Sequence, residues 1–329
     1  DTIVDPKNGK EDIQAIPVKE NILDRYAGVK KFIEENSYGF QTIAVDVYGP
    51  YAMTELPSCI GDENVFIKYA DKDIDFRKYD SIAIFFPVGL RDYSNCSATG
   101  TQGKINVTVN EGIVPLAVAW YPNGGYQKLD FLDYAVAHEL GHNFGAYHPK
   151  ILLCPGSPWL KDPTVNCSLI GNDPFDMMGS KQGYFSAALK ELFGWFRSGD
   201  LKTVTKTGTY KLDSYETTSK GTKALKIPRG GSDYLYVEFR RAIGADLELI
   251  RNYNKEILDG VIIHTITDGQ DQPWLIVSNP LKSDEDPVPK IVLKSGSKFI
   301  DPVSEIEIQT MSVKSDEATV KITIPSSRR

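Results

Sequence analysis

The sequence predicts an α+β protein in two parts: an α/β-layered N-terminal part with a mixed sheet and one central helix, and an all-β, sandwich-like C-terminal part. Three observations carry this expectation. Between Ile22 and Phe196, runs with helical period alternate with short branched or aromatic runs, the pattern of helices layered on a sheet. From Leu201 onward, helical periodicity nearly vanishes, and short alternating runs are separated by Gly, Asp, Ser and Pro turns. A chain of 329 residues is also long for one core and fits two. The expected division is 1–199, with 1–20 as an N-terminal arm, and 200–329 as a β-rich accessory domain.

Residues 1–20 are polar, carry Pro6 and Pro17, and show no sustained period. Ile22, Tyr26, Val29, Phe32 and Ile33 then recur at three-and-four spacing, which predicts an amphipathic helix over 22–36 ending near Ser37 and Gly39. Phe40–Tyr48 reads as β-rich. Glu63–Tyr79 reads as one helix followed by a turn. The run SIAIFFPV at 81–88 lacks alternation, as expected of a strand buried on both faces. Lys104–Val109 and Val114–Tyr121 are two further strands; the first alternates Ile105, Val107 and Val109 on one face, so one of the pair is an edge to which an extended peptide could add. A central helix follows, with Asp130 as candidate N-cap and Asp133 three residues on.

After that helix, Pro149, Pro155, Pro158 and Pro163 exclude regular helix. NDPFDMMG spans 172–179, and an apolar helix is expected near 185–196. In the C-terminal part TGTYKL, YLYVEF, DGVIIHTI, KIVLKSG and ATVKITI are the strand candidates.

Composition removes several function classes. The formal net charge is -7, with no cluster of Lys and Arg, so nucleic acid is not an expected partner. No window approaches the ~20 apolar residues that span a bilayer. Oligomeric state is not legible. The chain starts at Asp1 without Met, which suggests a processed product, secreted after loss of a signal peptide and any propeptide. Cys59, Cys96, Cys154 and Cys167 show no Cys-x-x-Cys spacing and are read as disulfides. Three pairings exist, and sequence order favours Cys59 with Cys96 and Cys154 with Cys167; four buried thiols are the alternative. Asn95, Asn106 and Asn166 begin glycosylation sequons, which also arise by chance.

The chemistry concentrates in 130–149, DFLDYAVAHELGHNFGAYHP. On a helix, Leu132, Val136, Leu140 and Phe144 would face the core, and His138 and His142 would share another face pointing into a cleft. Gly145 permits the turn that returns His148 to them. Three imidazoles close three sides of a zinc tetrahedron and leave the fourth for water. Glu139 is then placed to hold the zinc-bound water and take its proton. Five specified positions fall within eleven residues and use three of the chain's four histidines, which makes coincidence a poor explanation. His264, in VIIHTI, reads as structural.

HELGHNFGAYH resembles the zinc-binding signature of the metzincin clan of metalloendopeptidases. The resemblance covers roughly 22–196. It implies that His138, His142 and His148 bind zinc, that Glu139 is the catalytic base, and that a methionine turn lies below the metal. Met178, followed by Gly179, resembles that turn in gametolysin-like members, with Met177 as the alternative. His148-Pro149 is similar to the serralysins, but Ser180 stands where they place a tyrosine, and no glycine-rich calcium repeats are visible. KELFGW before a β-rich segment resembles gametolysin-like and immune-inhibitor-like secreted proteases, although the latter use Asp where this chain has His148. Tyr184 and Tyr147 are candidate oxyanion helpers. The implied function is a zinc-dependent endopeptidase acting on proteins or peptides bound in extended form. The competing reading is a non-catalytic zinc-containing adhesion protein whose β-sandwich recognises a glycan or protein surface. Acidic turns at Asp268–Asp271 and Ser283–Asp286 are weak calcium candidates.

Overall fold

The structure is a computed structural model that describes residues 3–4, 11–12, 19–52, 63–86, 97–122, 128–129, 132–153, 168–180, 183–252, 258–279 and 287–326. All four cysteines, Asn95, Asn166, Asp130, the acidic turn at 283–286 and most of the expected arm lie outside the described residues. The fold is mixed α and β, with several sheets and few helices, in keeping with an α+β expectation. No described helix is long and apolar enough to cross a membrane. The chain forms two compact units, Asp1–Ile33 with Thr42–Ala146, and Glu34–Gln41 with Tyr147–Arg329. This division does not coincide with the expected boundary at 199/200.

After the two-residue strands β1 (Ile3–Val4) and β2 (Glu11–Asp12) comes the helix α1 (Lys19–Asn36), which belongs to the first unit as far as Ile33 and to the second from Glu34. Ile22, Val29, Phe32 and Ile33 are its buried face, as their spacing requires. Beyond its last turn, Tyr38 and Gly39 take positive φ of 54° and 84°, and Gly39 N–H donates to Glu34 O at 2.8 Å, which satisfies a carbonyl at the helix end. Residues 41–50 form no strand, contrary to the β-rich reading of 40–48. Their burial does alternate, but alternation reports an extended chain and not a ladder partner.

The helix α2 (Glu63–Ala70) and a 3₁₀ turn at Phe76–Lys78 precede β3 (Ser81–Phe86). With β4 (Thr99–Gly100), β5 (Ile105–Val109) and β6 (Gly112–Pro122) it forms a mixed sheet in the order β3-β6-β4, with β5 also on β6. β3 runs parallel to β6, and β4 and β5 run antiparallel to it. The expectation for 81–88 needs correction: only Phe86 of β3 is buried, because β3 is an edge of this order. Of the two strands left open above, β6 is central and β5 peripheral. Val107, Val109, Val114, Leu116, Val118 and Trp120 join Phe66 and Ile67 in one apolar core. The small hairpin β7 (Lys128–Leu129) and β8 (Leu132–Asp133) then leads directly into α3 (Tyr134–Asn143).

The second unit opens with β9 (Lys150–Leu153) and β10 (Ser168–Asn172), neither of which the prolines around them announce. Short helices at Met177–Ser180 and Ala187–Leu192 follow, the second shorter than the expected 185–196. The remaining strands are β11 (Leu201–Thr203), β12 (Gly208–Asp213), β13 (Ala224–Gly230), β14 (Asp233–Phe239), β15 (Gly260–Thr267), β16 (Trp274–Ile276), β17 (Leu293–Lys294), β18 (Lys298–Ile300), β19 (Glu307–Val313) and β20 (Glu317–Thr323). Four of the five expected runs are strands as read. KIVLKSG instead divides between a turn of helix at Val288–Ile291 and the short β17.

Eight strands form one sheet, β10-β9-β16-β15-β14-β13-β11 with β17 on β15, and four form another, β12-β20-β19-β18. Alternation splits β15 between two cores: Val261 and Ile263 join Val237, Leu212, Ile308 and Val320, while Ile262 packs with Phe175 and Leu275. A strand buried on both faces reads as a continuous apolar run, and GVIIHTI does. The compact division falls at 146/147 because β9 enters this sheet, parallel to β16 and antiparallel to β10.

Candidate metal centre

The helix α3 starts where its first free N–H groups find an acceptor. Asp133 has extended backbone, and its Oδ1 accepts from Val136 N–H at 3.1 Å, so Asp133 is the N-cap in place of the expected Asp130. The same side chain pairs with Arg25 of α1, whose guanidinium also lies 5.3 Å above the Phe85 ring. The helix end is a Schellman turn. Gly145, at φ 101°, donates to His142 O at 2.8 Å, and Ala146 N–H donates to Gly141 O at 3.1 Å. A residue with a Cβ strains in that conformation, so Gly145 is what lets the chain double back within three residues of His148.

Packing differs from the stripe expected on α3. Val136 is fully buried, but Leu140 and Phe144 are only half-buried, and His138, Glu139 and His142 are themselves 5%, 5% and 7% exposed. The reason is a close approach by β4. A Cβ on Gly100 would meet Glu139 O at 2.8 Å, and Asn143 Nδ2 donates to Thr101 O at 3.1 Å and Val118 O at 3.2 Å. Gly103 N–H donates to His142 O at 2.9 Å. The helix face that carries the histidines is thus fixed by bonds to the backbone of the sheet. Asn143 was not singled out from sequence. Its place after His142 is the only local signal for it.

His138, His142 and His148 come together: one ring nitrogen from each lies within 4.8 Å of the others. All three histidines lie within one continuous eleven-residue stretch. The rings of His138 and His142 have centroids 5.0 Å apart and stand at 87° to each other. His142 Nδ1 lies 2.8 Å from Ala146 O. A carbonyl only accepts, so Nδ1 carries the proton and Nε2 presents its lone pair. Burial pushes the His142 pKa down against the opposing effect of that bond, which favours the neutral imidazole a metal requires. Three imidazole nitrogens at such separation can converge on one ion. The three residues can together hold a metal ion.

Glu139 is buried beside this cluster. Its charge is one cause, after burial and Tyr26, of a Tyr121 pKa held well above the usual value. Tyr147 is 45% exposed, and its ring lies 5.1 Å from that of His148. Tyr184 is placed otherwise. Its hydroxyl donates to Glu35 at 3.4 Å and its N–H to Asp246 Oδ1 at 2.8 Å, so the core of the second unit holds it.

Met177 and Met178 are both fully buried in a turn built by two aspartates. Asp173 Oδ1 accepts from Phe175 N–H, Asp176 Oδ1 accepts from Met178 N–H, and both bonds are 2.7 Å. Burial, then the neighbouring Asp173, raises the Asp176 pKa to about 6. Arg240 fastens the same segment by donating to Phe175 O at 2.6 Å and Tyr184 O at 3.2 Å. His264 is buried and sits 2.7 Å from Asp173, a structural position as expected. Among the described residues the histidine cluster is the one group of three or more His, Cys, Asp or Glu side chains placed to share a metal ion. The sequence matches no protein-family model and no curated protein.

Proposed function

We propose that this chain is a secreted zinc-dependent endopeptidase of the metzincin clan, in or near the gametolysin-like and immune-inhibitor-like proteases. The observation that supports the reading is the convergence of His138, His142 and His148 with Glu139 buried next to the first of them. In this reading the three histidines hold zinc and leave a position for water and substrate. Zinc, when bound, polarises the scissile carbonyl and makes water acidic enough to be deprotonated near neutral pH. Glu139 takes the proton from the attacking water and delivers it to the leaving amine. A low-dielectric setting strengthens both transfers, and the burial of Glu139 supports that role.

Substrate orientation follows from the sheet. β4 ends the order β3-β6-β4, and its Gly100 touches the helix at Glu139. An extended peptide would add to this outer edge, main chain to main chain, with its scissile bond facing the histidines. Tyr147, exposed beside His148, and Tyr184 are the candidate oxyanion helpers. Residues 1–199 then carry the catalytic elements, Met178 being the turn methionine that the resemblance implies. Residues 200–329 supply a sandwich-like β-rich part.

The test is cleavage of a denatured protein mixture by the wild type and Glu139→Ala, each loaded with zinc. Loss of about 10² or more in rate is expected for the variant. Chelation should abolish the wild-type rate, and added zinc should restore it. Equal rates in the two proteins would remove the protease assignment. A protein that binds zinc and cleaves nothing would return the adhesion reading.

A further inference from the structure

The third ligand differs from the first two in what holds it. His138 and His142 ride on α3, whose backbone bonds fix their spacing. His148 follows the Gly145 turn in a stretch that is neither helix nor strand. Its main chain is nevertheless pinned on both sides. Tyr147 N–H donates to Asp271 O at 2.9 Å, and Gln272 Nε2 donates to His148 O at 2.7 Å. One residue further on, Asp173 N–H donates to Pro149 O at 3.0 Å. The first two bonds come from the turn between β15 and β16. They continue upstream the parallel ladder in which Trp274 lies opposite Lys150 and Leu275 opposite Ile151.

We infer that Gln272 is a positioning residue for the third metal ligand, acting through the His148 carbonyl, and that the β15–β16 turn is part of the metal site. The inference rests on the zinc reading of the histidine cluster. Its physical basis is a choice of partner. A carbonyl in an unladdered, half-buried stretch has no secondary-structure donor, so it bonds either to water, with the chain free to turn, or to a fixed side chain. Gln272 is fixed: Pro273 follows it directly and restricts its backbone to extended conformations, and β16 begins at Trp274. The His148 peptide plane is therefore held in one orientation, which limits the directions in which its Cα–Cβ bond can carry the imidazole. The β-rich region then completes the site in addition to decorating it. Residues outside the ligand set that orient ligands typically change metal affinity by about 10–100-fold when lost.

The experiment uses the full chain. Zinc affinity is measured by competition with a chromophoric chelator, and the visible spectrum of the cobalt(II) form reports ligand geometry. Gln272→Met keeps length and removes the donor. The expected result is zinc affinity about 10-fold weaker or more, an altered cobalt spectrum, and an unchanged thermal midpoint of the metal-free protein. Gln272→Lys, which restores a donor at similar reach, should recover the wild-type spectrum. Wild-type affinity and spectrum in Gln272→Met would overturn the inference. Should that variant fail to fold, Gln272→Glu decides by the same criteria, since it keeps the shape and replaces the donor with an acceptor. A wild-type chain that binds no zinc would instead overturn the reading of the histidine cluster, and this inference with it.

Discussion

The imidazole of His264 on β15 lies 2.7 Å from the carboxylate of Asp173, at the head of the turn that carries Met177 and Met178, and both side chains are fully buried. Burial alone would push the His264 pKa down. Asp173, and then Glu238 at 3.9 Å from the other ring nitrogen, outweigh it, so the pKa stands above its ordinary value. The folded state therefore holds this proton more tightly than the unfolded chain. The resulting stability is fully present below the unfolded value of about 6.5 and is lost as pH rises through the folded value.

His264→Gln leaves a buried carboxylate without its charged partner and should cost about 3–5 kcal/mol at acidic pH. The gap between wild type and variant should narrow as the pH is raised past neutrality. Urea unfolding at several pH values measures it. A gap independent of pH would show that the pair is not ionised.

Asp133 serves two elements at once, as the N-cap of α3 and as the partner of Arg25. Asp133→Asn keeps an acceptor for Val136 N–H and loses the ion pair; Asp133→Ala loses both. The second should be less stable than the first by about 1 kcal/mol, the value of a cap. Equal thermal midpoints for the two would mean that the ion pair alone matters.

Gly145→Ala tests the turn that delivers His148. Nothing lies within 4 Å of the position its Cβ would occupy, so the cost is conformational, about 1–2 kcal/mol for an L-residue in left-handed backbone. Stability and zinc affinity should fall together, because the Schellman turn and the third ligand share this residue. Gly145→Asn, which tolerates positive φ better, should lose less of both. Zinc affinity unaffected by Gly145→Ala would separate the turn from the site.

The histidine cluster was legible because its geometry is local: two positions one helical turn apart and a glycine-permitted reversal are set by the chain over eleven residues. The β-rich C-terminal strands were legible because period-two alternation survives in sequence. What was not legible depends on partners remote in the chain. Residues 40–48 alternate like a strand, yet pairing is decided elsewhere. β3 is apolar enough for an interior strand but occupies an edge. The prolines after His148 concealed β9, whose partner β16 lies over a hundred residues later. Nothing in the sequence singles out Arg240 or Lys190. Both are buried, Arg240 against Glu238 at 2.9 Å and Lys190 with its ammonium 3.9 Å from the Tyr215 ring centroid, and no local pattern foretells a charge that tertiary neighbours neutralise.

The bond from Gln272 to His148 joins residues 124 apart in sequence. On a ribosome the two helical histidines emerge early, and the third is left without its anchor until the β15–β16 turn has been made and the ladder closed. Contacts of long sequence separation form late because loop closure must precede them. In the zinc reading, the bond that steadies the third ligand would form only after most of the chain exists. For a protease, the order of synthesis would itself delay the onset of cleavage.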